Sequence, residues 1–382
     1  TLIRSTDGGT TWIEVSRAND ANGDGLHVDV HALAFSKTGS VLYAGNDGGV
    51  WSSVTNLTSG ITTWNNLNAQ LSITQFYPGI SIHPSTPLFG LGGTQDNDVQ
   101  QYQGPSVVWQ SQELGCDGGF TAISPAIPST IYGECEYLQG QAPFPVIIVA
   151  FDGQQLGNTG FLANTGISNA DRGSFIPPLV MDPNNPQTLY FGTCRVWQSQ
   201  DGASTWSAIS PDVTTSAHPA GCATPTTASA PSGSLTTIAV APSNSSVVYV
   251  GSDNGDVEVT SSGGTTWTSI ATSTLPTRAV TQVVVDPSLP DTAYVTFSGF
   301  GSCATFCTGP TGHVFKTVNG TAGAATVWTP IDGTGLPDIP VNAIVIDPAG
   351  ATHNTLYVGT DIGAFFTSNG GVSWSVLGAP NS

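Results

Sequence analysis

The sequence predicts an all-β fold: a β-propeller of seven four-stranded blades, with an additional half-blade at the N-terminus. Two observations carry this expectation, a composition rich in turn formers and a motif that recurs along the whole chain. Of 382 residues, 46 are Gly and 26 are Pro, while only 9% are charged. A helical protein would need far more Lys, Glu, Leu and Met, whereas short strands joined by tight turns suit this composition.

The repeating unit is clearest near the C-terminus. There Val341–Pro348, Thr355–Asp361, Gly363–Ser368 and Val372–Leu377 read as four short strands, a to d, separated by Gly, Pro, Asn or Asp. Strand a ends in an Asp-Pro-like turn. That turn recurs at Ser36, His83-Pro84, Ser124-Pro125, Asp182-Pro183, Ala241-Pro242, Asp286-Pro287 and Asp347-Pro348, at spacings of 41 to 61 residues. Strand b follows with an aromatic-Gly pattern, as in Leu42-Tyr-Ala-Gly, Leu189-Tyr-Phe-Gly, Val248-Tyr-Val-Gly and Leu356-Tyr-Val-Gly. Four-stranded sheets packed radially bury their faces on one another and leave few open edges. Residues 1–15 form an orphan outer half-blade, expected to be the end of an upstream blade in a longer parent chain; residues 1–382 otherwise read as one propeller domain. The half-blade is counted below as blade 1, and the complete ones as blades 2 to 8.

The outer halves carry a second mark. Ser5-Thr-Asp-Gly-Gly-Thr-Thr-Trp12 is its fullest copy, with eroded copies at Ser199–Trp206, Thr260–Trp267 and Thr367–Trp374. An Asp or Asn side chain accepts backbone N–H bonds, Gly permits positive φ, and Trp plugs the space between blades. These octets resemble the Asp-box (BNR) repeat of sortilin-like receptors, family 74 glycosidases, sialidases and many secreted bacterial proteins. The resemblance spans essentially the whole chain and implies a propeller, but fold alone does not settle function.

Residues the blade requires can be set aside. All nine tryptophans fall at strand c or d positions, leaving none spare as a platform for a long glycan. Of nine tyrosines, Tyr77, Tyr102 and Tyr137 lie outside strand b, and three of five glutamates, Glu113, Glu134 and Glu136, lie in the same stretch. That stretch also holds Gln75, Gln95-Asp96-Asn97-Asp98 and Cys116-Asp117, and just before it stand His27, Asp29, His31 and Asp47. Blocks of this kind resemble those shared by a group of secreted Asp-box proteins, although Asp98 and Cys116 stand where that group carries Gly.

In a propeller the d-to-a and b-to-c loops emerge on one face, so these blocks are expected to line one mouth across blades 2 to 4. Alternation along a strand places His27, Asp29 and His31 on one side. The ligand-binding candidates are His27, His31, Asp47, Gln75, Tyr77, Gln95, Asp96, Asn97 and Asp117; a hydrolase would draw a carboxylate pair from Asp96, Asp98, Asp117 and Glu134. Asp20-Ala-Asn-Gly-Asp-Gly25 carries oxygens at alternating positions before a Gly, a calcium-loop pattern to which the Leu26 carbonyl and Asp29 would add ligands. No Glu stands at the twelfth position, so it departs from an EF-hand. The candidate Ca2+ ligands are Asp20, Asn22, Asp24, Leu26 and Asp29.

Charge excludes several functions. Twenty-six acids against seven bases give a net charge of −19, which repels nucleic acid and anionic membrane. No apolar run approaches the roughly 20 residues of a membrane span. Six cysteines without a zinc spacing suit an oxidising compartment, with Cys116/Cys135, Cys194/Cys222 and Cys303/Cys307 the preferred local pairs among fifteen pairings. A sialidase needs an arginine triad, and this chain has five scattered arginines. The reading is a secreted or cell-surface, non-catalytic recognition or structural module, suited to a surface assembly and binding a glycan or protein at the blade 2–4 mouth. The alternative is a family 74-like glycoside hydrolase using paired carboxylates in the same sector.

Overall fold

Short runs of β-branched and aromatic residues, broken by Gly, Pro and Asx turns, form antiparallel strands throughout the computed structural model. It describes residues 2–16, 26–27, 29–54, 63–71, 74–104, 109–112, 114–137, 148–151, 161–215, 218–219, 222, 233–301, 310–350 and 352–378. Among these there is no α-helix, only a 3-10 turn at Gly323–Ala325.

Among the described residues the strands assemble into one two-stranded and seven four-stranded sheets, each four-stranded sheet pairing its strands in chain order. Sheet 1 pairs Ile3–Arg4 with Ile13–Glu14. The innermost strands (a) of sheets 2 to 8 are Val30–Phe35, Ser81–Ile82, Gly118–Ile123, Leu179–Met181, Leu235–Ala241, Val280–Val285 and Val341–Ile346. Because every pairing within a sheet is antiparallel, the b-to-c and d-to-a connections share one end, here called the mouth. The a-to-b turns at the opposite end are closed by carboxylates: Asp182, Asp286 and Asp347 each accept the N–H two residues on, at 2.8, 2.9 and 2.9 Å.

Apolar clusters bind consecutive sheets face to face. Val247, Tyr249 and Val259 of sheet 6 pack with Val283, Val285 and Val295 of sheet 7, and equivalent clusters join sheets 3 to 4, 4 to 5, 5 to 6 and 7 to 8. A further cluster of Leu42, Ala44, Trp51 and Trp64, with Leu2, joins sheet 1 to sheet 2. Sheets 2 and 3 are different. Tyr43 and Val50 on sheet 2, and Ile80 and Ile82 at sheet 3, remain exposed.

The octet turns behave as their residue types require. In the first, Ser5 Oγ accepts the Gly9 N–H at 2.8 Å and Asp7 Oδ1 accepts the Thr11 N–H at 2.9 Å. Hydrogen bonds from Thr11 and Ser5 hold the Asp7 carboxyl down at about 2. The copy at Ser199–Trp206 repeats this network around Asp201, with Ala203 at a left-handed φ of 67° where the first copy has Gly9 at 93°. A fifth copy appears at Thr317–Trp328, where Asn319 Oδ1 accepts the Val327 N–H at 3.0 Å. It spans twelve residues rather than eight, because the Gly323–Ala325 turn is inserted within it. That insertion conceals its spacing in the sequence.

Each buried octet Trp reaches the preceding sheet. The indole N–H groups of Trp206, Trp267, Trp328 and Trp374 donate to the carbonyls of Ala163, Ile209, Ile270 and Ile331, at 2.7 to 3.1 Å. Trp64 makes the same bond to Val15 at 2.8 Å. Every acceptor is the first residue after strand d of the preceding sheet. Trp12 corrects the expectation that every tryptophan is consumed between blades. It is 58% exposed and its N–H folds back to Gly9 O, with no preceding sheet among the described residues to receive it.

Replacing Trp328 with Phe leaves the buried Ile270 carbonyl without its donor and should cost about 1–3 kcal/mol in urea unfolding. Trp12→Phe should stay within about 0.5 kcal/mol. Equal losses at the two positions would show that the inter-sheet hydrogen bond is not what stabilises the stack.

Candidate functional site

The mouth of sheets 2 to 4 is built from loops that the sheets hold in place. Asp47 sits in the turn between Val41–Asn46 and Gly49–Val54, and Asp96 and Asn97 in the turn between Phe89–Gly93 and Val99–Gln103. Gln75 and Tyr77 precede strand a of sheet 3, Asp117 precedes strand a of sheet 4, and Glu136 follows its strand b. Backbone bonds fix the approach: Gln95 N–H donates to Gln75 O at 3.0 Å, and Tyr77 N–H to Gly93 O at 2.9 Å.

Side chains then tie the three sheets together. His27 Nε2 lies 2.9 Å from Asp96 O, and Asn97 Nδ2 donates to Asp47 O at 3.3 Å, linking sheets 2 and 3. Asp96 N–H donates to Asp117 Oδ1 at 3.2 Å and the Tyr77 hydroxyl to Asp117 Oδ2 at 3.4 Å, linking sheets 3 and 4. Behind them, Glu136 Oε2 accepts the Asp117 N–H at 2.9 Å and the Glu136 N–H returns to Asp117 O. The Cys116–Cys135 disulfide sits directly beside this exchange. Asp96 adopts a left-handed φ of 58°, and Tyr77 packs edge-on to the exposed ring of Phe175.

Electrostatics follow from crowding. Burial, then the neighbouring Asp117 and Asp47, push the Asp96 carboxyl above its ordinary value, with His27 opposing. Burial also raises Glu136, and burial with Asp117 pushes the Tyr77 phenol to about 12. The mouth therefore combines a half-buried carboxylate pair with amide donors and a phenol held in protonated form, groups suited to polar hydroxyl and amide partners.

Several expectations need correction. His27, Asp29 and His31 do not share one strand face: strand a begins at Val30, Asp29 has a left-handed φ of 55°, and a bulge follows between Val30 and Ala32. His31 instead turns to Asp47 Oδ1, 2.5 Å away, on the exposed side. Glu134 does not face the mouth. It is 0% exposed, its Oε1 accepts the Phe120 N–H at 2.9 Å, and burial lifts its carboxyl far above the ordinary range. Asp98 is likewise structural, with a left-handed φ of 72° and Oδ2 accepting the Leu114 N–H at 2.6 Å and the Ser111 hydroxyl at 3.1 Å. A Gly could supply that φ but not the acceptor.

Of the metal candidates, Leu26 is buried and its N–H donates to Ser16 O, while Asp29 is exposed. Asp20, Asn22 and Asp24 lie outside the described residues, as do Glu113, Cys303 and Cys307. The disulfides Cys116–Cys135 and Cys194–Cys222 are both formed. Among the described residues, two triads of potential ligand side chains come together, and each includes two of these oxidised cysteines, which have no thiolate to offer a metal.

Attention to residues 20–140 missed polar clusters farther round the mouth. Asp171 pairs bidentately with Arg195 at 2.7 and 2.8 Å, and Arg172 pairs with Asp212 at 2.5 Å. His218 Nε2 lies 2.9 Å from Glu258 Oε2, and His313 Nε2 lies 2.8 Å from Asp338 Oδ1. The available signal was chemical rather than spatial: the chain has only seven Lys and Arg and six His, and Arg172, Arg195, His218 and His313 are four of them.

No family model matches this chain, and no curated protein matches it. Solved structures with the same fold are β-propeller proteins. The family 74 xyloglucanase of Xanthomonas campestris aligns over 80% of this chain and 45% of its own, at 16% identity and a TM-score of 0.56. An ancestral GH74 enzyme aligns over 91% of this chain and 46% of its own, also at 16% identity and 0.56. YCF48 from Cyanidioschyzon merolae aligns over 80% and 85%, at 13% identity and 0.53. This chain thus spans less than half the length of the two glycosidase chains, and identities this low establish the β-propeller fold alone.

The pair at sheet 6 has a measurable consequence. Burial, opposed by His218, raises Glu258 to about 7. The folded state therefore holds a proton that the unfolded chain has released. Stability should fall on the order of 1–3 kcal/mol as pH rises from about 4.5 through about 7. Urea titrations across that window should show the decline in the native chain and a flatter profile in Glu258→Gln; parallel profiles would remove Glu258 as its source.

Proposed function

We propose that this chain is an extracellular Asp-box propeller that acts as a non-catalytic recognition module, taking a glycan or protein partner at the mouth of sheets 2 to 4. The observation that carries this reading is the convergence of Asp47, Asp96, Asn97, Tyr77 and Asp117 from three sheets on one solvent-facing rim. Amide, carboxylate and phenol groups placed by backbone bonds form a preorganised polar surface, which favours binding without large rearrangement. Two disulfides and the excess of acids suit residence outside the cell.

The glycosidase reading keeps one support, the coupling of Asp96 and Asp117. It is the weaker one because Glu134 and Asp98, its other carboxylates, are engaged inside the fold. A polysaccharide panel separates the two. Recognition predicts retention of a polysaccharide without new reducing ends, retention that Asp96→Asn and Asp117→Asn alter by no more than a few-fold. Reducing ends that appear with the native chain and vanish in both variants would establish hydrolysis instead.

Calcium bound by Asp20, Asn22, Asp24, Asp29 and the Leu26 carbonyl would brace the chain entering strand a of sheet 2. Chelation should then lower the melting temperature by several degrees, with recovery on adding Ca2+ but not Mg2+. An unchanged melting temperature would reduce that segment to an Asx-rich turn.

A further inference from the structure

A cavity of about 830 Å3 opens at the mouth between the loops that enter sheets 7 and 8. It lies outside the sector assigned above. Its walls are largely apolar, formed by Leu336, Phe315 and the rings of Pro310, Pro330 and Pro337, with Thr274 at the edge. Two carboxylates belong to the same lining. Asp338 is held by His313 Nε2 at 2.8 Å and by the Gly301 N–H at 2.6 Å. Asp332 Oδ1 accepts the N–H groups of His313 and Val314, at 2.7 and 3.3 Å, while its Oδ2 has no hydrogen-bond partner among the described residues. The nearby cation, Arg278, donates from Nη2 to Gly312 O at 2.6 Å and lies within electrostatic reach of both carboxyls.

We infer that this cavity receives the side chain of a lysine or arginine presented by an extended peptide segment. Apolar walls suit the methylene stem, and a fixed carboxylate at the rim suits the cation that ends it. Asp338, 40% exposed, is the carboxylate a cation can reach, and the net charge of −19 adds to the attraction. An anionic ligand meets repulsion from the same groups. A sugar lacks a platform, since the aromatic side chain in the lining, Phe315, is 1% exposed and set edge-on to Phe297. The volume lies within the usual range for ligand sites and admits several residues rather than one side chain.

The test compares acetyl-Ala-Arg-Ala-amide and acetyl-Ala-Lys-Ala-amide with the neutral citrulline peptide, by saturation-transfer NMR and equilibrium dialysis. The basic peptides should bind, and the citrulline peptide should bind at least tenfold more weakly. Asp338→Asn keeps the acceptor for His313 and Gly301, so it should fold normally and lose at least tenfold in affinity. Thr274→Lys places a cation at the exposed rim and should also suppress binding. Asp96→Asn, at the other site, should leave binding unchanged. Equal binding of arginine and citrulline peptides, native affinity in both Asp338→Asn and Thr274→Lys, or no binding of either basic peptide would overturn the assignment.

Discussion

The stack depends on one repeated bond, the indole N–H of a strand d tryptophan donating to the carbonyl that follows strand d of the sheet before it. A buried carbonyl without a partner is costly, and the residue bearing it has already used its own N–H inside its sheet: Ile209, Ile270 and Ile331 donate to Val196, Val257 and Val314. The tryptophan therefore completes the polar pairing of one sheet while its ring fills the gap to the next. Crossing a sheet boundary with a directional bond sets the spacing and rotation of neighbouring sheets more tightly than apolar contact alone. The octet turn serves this bond, since its Ser, Asp and left-handed residues position the indole at its end.

The distribution of that bond explains where the candidate site lies. It is present from sheet 1 to 2, and at each step from 4 to 5 through 7 to 8. Among the described residues it does not cross from 2 to 3 or from 3 to 4. Trp109 of sheet 3 instead packs within its own sheet, against Phe76 and Tyr102. Between sheets 3 and 4 an apolar cluster and the bonds of Thr121 to Gly79 and Leu91 carry the contact. Between sheets 2 and 3, His27 to Asp96 and Asn97 to Asp47 span the junction at the mouth. The residues that departed from the repeat in sequence are thus those that hold the sheets where the repeat's own bond is missing, and they are the same residues offered for recognition.

Sequence periodicity made the sheets legible because each strand, turn and box is a local pattern of a few residues. Strand a of sheets 2 to 8, the Asx turns at Asp182, Asp286 and Asp347, and four of the octet turns were all readable in this way. The fifth copy at Thr317–Trp328 was hidden by its insertion, which breaks spacing without breaking the hydrogen bonds. Site residues were legible as a sector but not as contacts. Nothing local distinguishes Glu134, swallowed between sheets, from Glu136 two residues on, whose carboxylate supports Asp117. The same limit hid the left-handed Asp29, which turns His27 and His31 to different partners. Whether a polar residue serves the fold or the surface depends on tertiary neighbours that period and composition do not encode.

Asp98 shows how closely the two roles can lie. It stands two residues from Asp96, both have positive φ, and burial raises both carboxyls. Yet Asp98 spends its oxygens on the Val99 and Leu114 N–H groups and the Ser111 hydroxyl, ordering the segment that leads to Asp117. Asp96 uses its backbone for the same purpose, giving its N–H to Asp117 and its carbonyl to His27, with no hydrogen bond to its carboxylate among the described residues. The turn therefore separates support from presentation: one aspartate ties the loop down through its side chain, and the other is tied through its main chain. A residue held by its backbone leaves its half-buried carboxyl free of the loop's own hydrogen bonding, which is the difference between Asp96 and Asp98.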